Sequence, residues 1–392
     1  MPDIIYFLLS SMPLFTCIFL TIIFILEARQ SHSTPYRWLA IFFLVCTLLY
    51  NAHFIFFMHE VAYIPYTDSI YCFCNLAVYP IYFIYLLSLT ERHIKRLHIA
   101  LLLTPATICG ITAFCLYLLM PAQDQQTFIH DYLYQGLIPS SDSTIALQAQ
   151  AYLHIVQRLI FALEVIVVFW LGLRQIKHFN QKVNAFYSAT EGKQLTSTRN
   201  LFIFFTATSF LSLTANIIGR YHFTGSITML AGPAIFFSIL LFCIGYIGLK
   251  QKYNIHDITP EADQLMEAQE EILPDAYDEL QQRIIRLMQE KQIFLQPDLK
   301  IIDISQYLHT NRTYIYKAIN IKMNMSFSEY INKQRIDYAA NLMSQNQDIP
   351  LSEVARKSGF ASVTSFYRNF KIFKNESPSS FKEREKKQQS KA

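Results

Sequence analysis

Charged residues and glycine are both scarce in this chain. Asp, Glu, Lys and Arg make up 16% of its 392 residues, against roughly 25% in soluble globular proteins. The chain has 10 glycines and seven cysteines, too few for a collagen-like protein or a small disulfide scaffold. Hydrophobic residues supply 52% of the chain, which excludes an intrinsically disordered protein.

The few charges are unevenly distributed. Residues 1–248 contain 22 charged side chains, whereas the shorter segment 249–392 contains 40. An apolar part is therefore joined to a charged part, and the two parts need different solvents.

The apolar part consists of long hydrophobic runs, each close to the roughly 20 residues that cross a bilayer as a helix. Helix is the expected form because lipid offers the backbone no hydrogen-bond partners. The first run is too long for a cleaved signal peptide and no Lys or Arg precedes it, so we expect it to be retained. The sequence predicts seven spans, near residues 4–26, 38–57, 70–89, 99–120, 154–173, 201–218 and 228–248.

Lys and Arg in the short loops predict the orientation of these spans. Loops 27–37, 90–98 and 174–200 carry ten such cations, whereas the loops on the other side carry Arg220 alone. The cation-rich side is predicted to be cytoplasmic, which puts the N-terminus outside and the C-terminal part inside a bacterial inner membrane. Segment 121–153 is then the largest external one and a candidate sensing surface or lid.

A few polar side chains lie at membrane depth, where an ionisable group is costly and indicates function. Glu164 is the strongest candidate, with Arg158 six residues earlier in the same span. The alternative is hydrogen bonding between helices, which needs no ligand. The predicted sensing residues are Glu164, Arg158, Asn51 and Asn216.

The cysteines and histidines of the apolar part predict no metal site. All seven cysteines lie in or at the ends of spans, where a thiol packs as a small apolar group. The histidines on the external side, including His154, lack metal-ligand spacing and are predicted to be surface residues. No cofactor is expected.

An acidic segment follows the last span. Residues 253–296 hold ten Asp and Glu against three Lys and Arg, a balance that repels the anionic inner leaflet and DNA. The region after Pro274 predicts a helix that packs onto the terminal domain, and a dimerising helix is the alternative, although fewer than three clean heptads are visible. The apolar residues at helical spacing are Leu280, Ile284, Leu287 and Met288.

The terminal segment is basic and internally repeated. Residues 297–392 hold 16 Lys and Arg against nine Asp and Glu, which suits a polyanionic partner. A pattern of two short helices and a turn occurs twice, with an offset of 50 residues before the turn and 51 after it. Each copy therefore predicts one helix-turn-helix.

The turns and caps of each copy agree with this reading. The first turn is His309-Thr310-Asn311 and the second is Gly359-Phe360, where glycine tolerates positive φ. Asn311 and Ser362 are good N-caps for the second helices, and a capped helix start presents N–H groups to phosphate. The predicted inner positions are Ile315, Ile319, Phe366 and Phe370.

Specific residues of the repeat match a known family. The segment 327–336, between the two copies, looks like the helix near 326–343 that joins the two units in this family. The second unit contains Val354-Ala355, Gly359-Phe360, Ser365-Phe366, Phe370-Lys371 and Ser377-Pro378. Over about residues 280–384 the chain therefore resembles the AraC/XylS-type transcription regulators, in which one long helix joins two helix-turn-helix units.

The first unit departs further from the family pattern. Ser305 and Ile319 stand where the family has Ala and Phe. Asn324 and Asn375 stand where it has glycine after each recognition helix, and asparagine tolerates the left-handed conformation needed there.

The recognition helices of such a protein contact DNA through their outer faces. Arg368 is the best candidate for base readout because arginine binds guanine through two hydrogen bonds, and Lys371 is expected to touch phosphate. The full set of predicted contact residues is Arg312, Thr313, Tyr316, Lys317, Ser362, Val363, Thr364, Tyr367, Arg368 and Lys371.

The predicted fold is all-α: a seven-helix transmembrane bundle over 1–250, an acidic linker over 251–279, and a cytoplasmic double helix-turn-helix domain over 280–392. The predicted function is a membrane-bound one-component transcription regulator, since no enzyme motif is recognisable. The alternatives are a seven-span receptor or transporter whose tail binds a protein, and a structural membrane anchor. Expected partners are double-stranded DNA, the lipid bilayer, an unknown small-molecule or membrane cue, a second copy of the chain, and RNA polymerase if the protein is an activator.

Overall fold

The computed structural model describes residues 2–91, 94–218, 227–251, 274–346 and 348–389. Over these residues the chain is helical and has no β-strand beyond one isolated bridge, which confirms the predicted all-α class. It divides into two compact units. The first unit comprises Met1–Ile176 and Leu195–Ile255, and the second comprises Lys177–Gln194 and His256–Ala392.

The first unit contains a helix at each of the seven predicted spans. Its helices are α1 (Pro2–Ser31), α2 (Thr34–Phe57), α3 (Ile64–Thr90), α4 (Arg96–Leu119), α5 (Ala122–Thr127), most of α6 (Ile145–Phe186), α7 (Thr196–Ile218) and α8 (Ile227–Lys250). Six segments, which contain all of these helices except α5 and α7, are long and apolar enough to cross a membrane. In α7, hydroxyl side chains such as Thr206, Thr208 and Ser209 bond back to their own helix backbone and dilute the apolar run.

Helix α3 lies at the centre of the first unit. In its most apolar stretch 83% of the residues are buried, against 17% in α4. Leu118 and Leu119 of α4 are among the most exposed residues, at 68% and 72%. Contiguous apolar surface of this kind needs an apolar solvent or a partner, as a bilayer-embedded bundle has.

Helix α6 is longer than the sequence predicted. It runs for 42 residues, about 63 Å at 1.5 Å per residue, whereas the predicted span covered 154–173 and left 174–200 as a loop. The residues after the span hold no proline or glycine before Gly192, so nothing in the backbone stops the helix earlier. Its last residues, from Lys177, belong to the second unit.

The predicted external segment 121–153 is folded. It contains α5, a wide helical turn over Phe128–Leu133, and the start of α6. Phe128, Ile129 and Tyr132 are buried in one apolar cluster with residues of α2 and α4. This segment therefore packs onto the ends of the predicted spans.

The second unit is built from short helices. They are α9 (Pro274–Lys291), α10 (Ile301–Leu308), α11 (Arg312–Lys317), α12 (Phe327–Gln345), α13 (Leu351–Lys357), α14 (Val363–Lys374) and α15 (Pro378–Gln389). Helix α9 buries Leu280, Ile284, Leu287 and Met288, and Arg283 donates to the carbonyl of Leu308 at 2.6 Å. The predicted packing of this helix onto the terminal domain is confirmed. Most of the acidic linker, residues 252–273, lies outside the described residues.

Candidate nucleic-acid interface

The first helix-turn-helix consists of α10, the turn at His309 and α11. His309 ends α10 in the left-handed conformation with φ 47°. The side chain of Asn311 accepts a hydrogen bond from Thr313 N at 3.0 Å, so the predicted N-cap is confirmed. Ile315 and Ile319 are buried at 0% and 1% exposure and hold the second helix against the core, as predicted.

The second helix-turn-helix consists of α13, the turn at Gly359 and α14. Gly359 has φ +79°, and a Cβ built there would lie 2.6 Å from the carbonyl oxygen of Leu295. Ser362 caps α14 by accepting from Ser365 N at 3.0 Å. Phe366 and Phe370 are fully buried. The predicted turn, cap and inner positions of the second helix-turn-helix are confirmed.

Asparagine replaces glycine after both recognition helices, and the backbone shows why this works. Asn324 has φ 49° and Asn375 has φ 57°, both in the left-handed region that asparagine tolerates. The departures from the family pattern therefore preserve both turns.

Helix α12 joins the two units. Its 19 residues span about 28 Å, which is comparable to the roughly 34 Å between successive major grooves. Ser326 and Glu329 form a reciprocal capping box at its start. Its buried Arg335 donates to the carbonyls of Phe294 and Gln296 at 2.7 and 2.6 Å. Burial lowers the pKa of Arg335 to about 10, so it stays charged at neutral pH.

The predicted contact residues of the second helix-turn-helix share one outward face of α14. Val363 is 42% exposed and Tyr367 is 37% exposed, while Thr364, Arg368 and Lys371 are also exposed. Ser362 lies at the N-terminal end of the same face. This face is free of core-packing residues, as direct readout of a groove requires.

The first helix-turn-helix offers less surface to a ligand. Arg312, Tyr316 and Lys317 are half-buried, and Thr313 is 7% exposed. The burial of Thr313 disfavours a base contact from its side chain. Its backbone N–H is also engaged, in the Asn311 cap. Burial also raises the pKa of Tyr316, whose hydroxyl therefore remains a hydrogen-bond donor.

One acidic residue from elsewhere in the chain lies on this interface, and the sequence did not predict it. Ser362 Oγ donates a hydrogen bond to Glu191 Oε2, and Arg368 Nη2 lies 3.7 Å from Glu191 Oε1. Glu191 follows α6 and is part of the second unit. The available signal was its charge: it is the one acidic residue in the basic segment 174–200.

Among the predicted sensing residues that the structure describes, no hydrogen bond or ion pair joins Glu164, Arg158 and Asn51. Glu164 is half-buried, with Oε2 buried and unbonded within the described part of the chain, while Arg158 and Asn51 are half-buried elsewhere. The side chain of Asn216 lies outside the described residues. An apolar cavity of about 240 Å³ lies among α1, α2, α3, α6, α7 and α8, and none of the three described residues lines it.

His154 is not a surface residue, and that prediction was wrong. It is 5% exposed, and its Nε2 lies 2.9 Å from Asp68 Oδ2 and 3.8 Å from Cys72 Sγ. The error arose because the packing of α3 against α6 brings together residues that are more than 80 positions apart in the sequence.

Comparison with known proteins identifies the C-terminal region. A family model described as a helix-turn-helix domain matches residues 304–384. The Msm operon regulatory protein of Streptococcus mutans is 31% identical over 84 residues, covering 21% of this chain and 30% of that protein. The TCP pilus virulence regulatory protein of Vibrio cholerae is 37% identical over 79 residues, covering 20% and 28%.

These matches span less than a third of either regulator. A solved structure of a protein of unknown function from Listeria innocua is 25% identical and covers 26% of this chain and 93% of that chain, with a TM-score of 0.24. The domain is similar to those of transcription regulators, not enzymes. The two capped units on their joining helix, together with these matches, show that the chain carries a C-terminal AraC-type helix-turn-helix DNA-binding domain.

Proposed function

We propose that this protein is a transcription regulator anchored in a bacterial inner membrane, which senses a cue through its first unit and binds promoter DNA through its second. The observation that carries the proposal is the presence, in one chain, of six long apolar helices and an AraC-type DNA-binding domain. One-component signalling needs no more than these two parts and a route between them.

The apolar surface and the loop charges support the membrane placement. Lys and Arg are concentrated in loops on one side of the predicted spans, which orients that side towards the cytoplasm. This orientation puts the second unit in the compartment that contains DNA.

A reporter enzyme fused after Lys250 is therefore expected to be active only in the cytoplasm. A second fusion at Ser141, in the exposed turn of the external segment, serves as the matched control and should report only from outside. External activity from the Lys250 fusion would reverse the topology and overturn the proposal.

DNA recognition is assigned to the outward face of α14. The capped N-terminus of this helix offers N–H groups and partial positive charge to a phosphate. Arg368 and Tyr367 further along the same face then reach base edges in the major groove. We expect Lys371, which is exposed on this face, to contact a phosphate.

Arg368→Ala is expected to cost about 1–3 kcal/mol of specific binding and to relax the preference at one base pair. Lys371→Ala is the comparison, since loss of a phosphate contact should weaken binding to all sequences alike. The measurement is site selection from a randomised duplex library by the full chain in lipid nanodiscs. Equal losses on every sequence for both variants would demote Arg368 to a phosphate contact, and no binding at all would favour a receptor whose tail binds a protein.

The route between the units is part of the proposal. The sequence places it in residues 249–296, of which 252–273 lie outside the described residues. Residues 177–194 provide a second covalent connection, because they fold with the DNA-binding domain and continue from α6. A cue can act through either route only if it binds two states of the protein with different affinities.

A further inference from the structure

The DNA-facing start of α14 is occupied by a carboxylate of the same chain. Glu191 accepts a hydrogen bond from Ser362 Oγ and pairs with Arg368 at 3.7 Å. We propose that Glu191 is an intrachain competitor of DNA, because it occupies both the Ser362 hydroxyl at the phosphate-binding start of α14 and the Arg368 guanidinium that is assigned to a base edge. This inference rests on the proposed function and concerns the regulation of the same interface.

The chemistry at the start of α14 suits both the Glu191 carboxylate and a DNA phosphate. Ser362 Oγ accepts from Ser365 N and so donates its own proton outward, to the carboxylate. The N-terminus of α14 adds a partial positive charge, and Arg368 adds a full one. A carboxylate and a phosphate are both anionic acceptors, and like charges cannot share one such site. Binding of DNA here therefore requires Glu191 to leave.

Glu191 is held by a well-anchored segment. Ser188 is 1% exposed, its N and Oγ both donate to the carbonyl of Leu299, and its own carbonyl accepts from Ser328 Oγ at 3.2 Å. The next turn is closed by Lys193 N, which donates to the carbonyl of Thr190. Buried anchors with an exposed tip describe a segment whose tip can move while its base stays in place.

The strength of the Glu191 contact suits a reversible competitor. The Arg368 side chain is 53% exposed and the Glu191 side chain 30%, so water screens the pair and its contribution is modest. The segment continues directly from α6, which begins in the first unit. A rearrangement of α6 is thus transmitted through the covalent chain to Glu191.

The test compares Glu191→Gln with Glu353→Gln in the full chain in nanodiscs. Glu353 is a partly exposed residue of α13, and its ion pairs within the described part of the chain are with Arg356 and Lys357 of its own helix. Both variants therefore remove one negative charge from the domain. Affinity is measured on duplexes selected by the wild-type chain. Glu191→Gln should bind about tenfold more tightly, as expected for loss of one charge-assisted hydrogen bond, and Glu353→Gln should gain far less.

Hydrogen exchange gives a second readout. Residues 189–193 of the wild-type chain should exchange faster when DNA is added. Equal gains in the two variants, or unchanged exchange with DNA bound, would overturn the competitor and leave the proposed function standing. Failure of every variant to bind DNA would overturn the proposed function and this inference with it.

A second inference rests on a different observation, the buried cluster of Asp68, Cys72 and His154 in the first unit. Their exposed fractions are 4%, 0% and 5%, and their ligating atoms all lie within 4.8 Å of one another. We infer that this cluster binds a divalent transition-metal ion of the Zn²⁺ class.

The donor set and its geometry suit such an ion. Asp68 and Cys72 are four residues apart and share one face of α3, while His154 comes from α6. Carboxylate oxygen, thiolate sulfur and imidazole nitrogen are the ligands that Zn²⁺ takes, at about 2.0–2.3 Å. Tetrahedral ligands at those bond lengths are separated by about 3.3–3.8 Å. His154 Nε2 lies 2.9 Å from Asp68 Oδ2 and 3.8 Å from Cys72 Sγ, and the Asp68 and Cys72 ligand atoms lie within 4.8 Å of each other.

Neighbouring polar groups support the site. Tyr117 donates to Asp68 Oδ2 at 3.0 Å and orients it, in the manner of an outer-sphere partner. Gln157 Nε2 donates to the carbonyl of Cys72 at 3.4 Å, and its buried Oε1 has no hydrogen-bond partner in the described part of the chain. A buried polar atom of this kind is rare in proteins, and a metal-bound water could satisfy it.

The external segment covers the cluster. The rings of Phe128 and Tyr132 lie 5.6 and 5.9 Å from that of His154. Binding of an ion would release the Cys72 proton and replace the Asp68–His154 hydrogen bond with two metal bonds. An ion held here would cross-link α3 to α6, the helix that leads to Glu191.

The test uses Co²⁺ as a spectroscopic probe and Zn²⁺ as competitor, with the full-length protein in detergent. One Co²⁺ per chain should give a sulfur-to-metal charge-transfer band that Zn²⁺ abolishes. Cys72→Ser should lose the band and His154→Gln should weaken binding at least tenfold. Cys74→Ser is the control, because Cys74 is equally buried in the same helix and outside the cluster.

A wild-type chain that binds no Co²⁺ or Zn²⁺, or binds them equally after Cys72→Ser, would show that the three residues form a hydrogen-bonded cluster only. DNA binding by the same preparations is measured in parallel, so failure of the metal site remains distinct from failure of the proposed function.

Discussion

Replacing Arg335 with alanine is expected to destabilise the second unit by about 3–5 kcal/mol, because buried acceptors lose a charged donor. Arg335 is 1% exposed. Its guanidinium donates to the carbonyls of Phe294, Gln296 and Pro297 and to Ser188 Oγ. One side chain thus connects the joining helix α12 to the segment that precedes the first helix-turn-helix and to the segment that follows α6.

Hydrogen exchange of α12 in the detergent-solubilised full chain measures this loss. Arg335→Lys keeps the charge but not the planar fork of donors, so it should lose less than Arg335→Ala. Lys333→Ala, at an exposed position two residues earlier, should change stability by less than about 0.5 kcal/mol. Similar exchange in all three variants would show that the Arg335 hydrogen bonds contribute little.

Gly359→Ala is expected to destabilise the second helix-turn-helix by about 2–5 kcal/mol. Positive φ costs an alanine about 1–2 kcal/mol, and forced overpacking adds about 1–3 kcal/mol. The new Cβ would lie 2.6–2.8 Å from backbone atoms of Leu295, and no side-chain rotation can relieve a clash with backbone. The turn would open and α14 would lose its register.

Gly192→Ala separates the two contributions. Gly192 has φ +73° with nothing within 4 Å of a built Cβ, so it should show the conformational cost alone. Limited proteolysis between α13 and α14, combined with exchange of α14, is the measurement. Equal effects at both glycines would mean that the Leu295 contact is relieved by a backbone shift.

Local features of the second unit followed from the sequence. The caps at Asn311 and Ser362 and the left-handed Asn324 and Asn375 depend on the chemistry of a residue and its immediate neighbours. Helix α9 depends on apolar periodicity alone. Short-range rules are sufficient for such features, because the interacting atoms are within a few residues of each other.

Other features could not be read from the sequence. Helix α6 extends past its predicted span because packing in the second unit continues it, and hydropathy reports only the apolar part. His154 is buried because α3 and α6 pack together, and Thr313 is buried although its position in the repeat predicts an outward face. Each depends on which distant elements meet.

The sequence by itself determined the division into an apolar and a charged part, the helical class of both, and the paired DNA-reading helices, because composition and periodicity act locally. Only the tertiary structure decided that Glu191 meets Ser362, 171 residues away, and that Asp68 meets His154, 86 residues away. Such encounters are set by the packing of whole helices. The charge of Glu191 distinguishes it within its own segment, but a single sequence does not indicate which distant residue it meets.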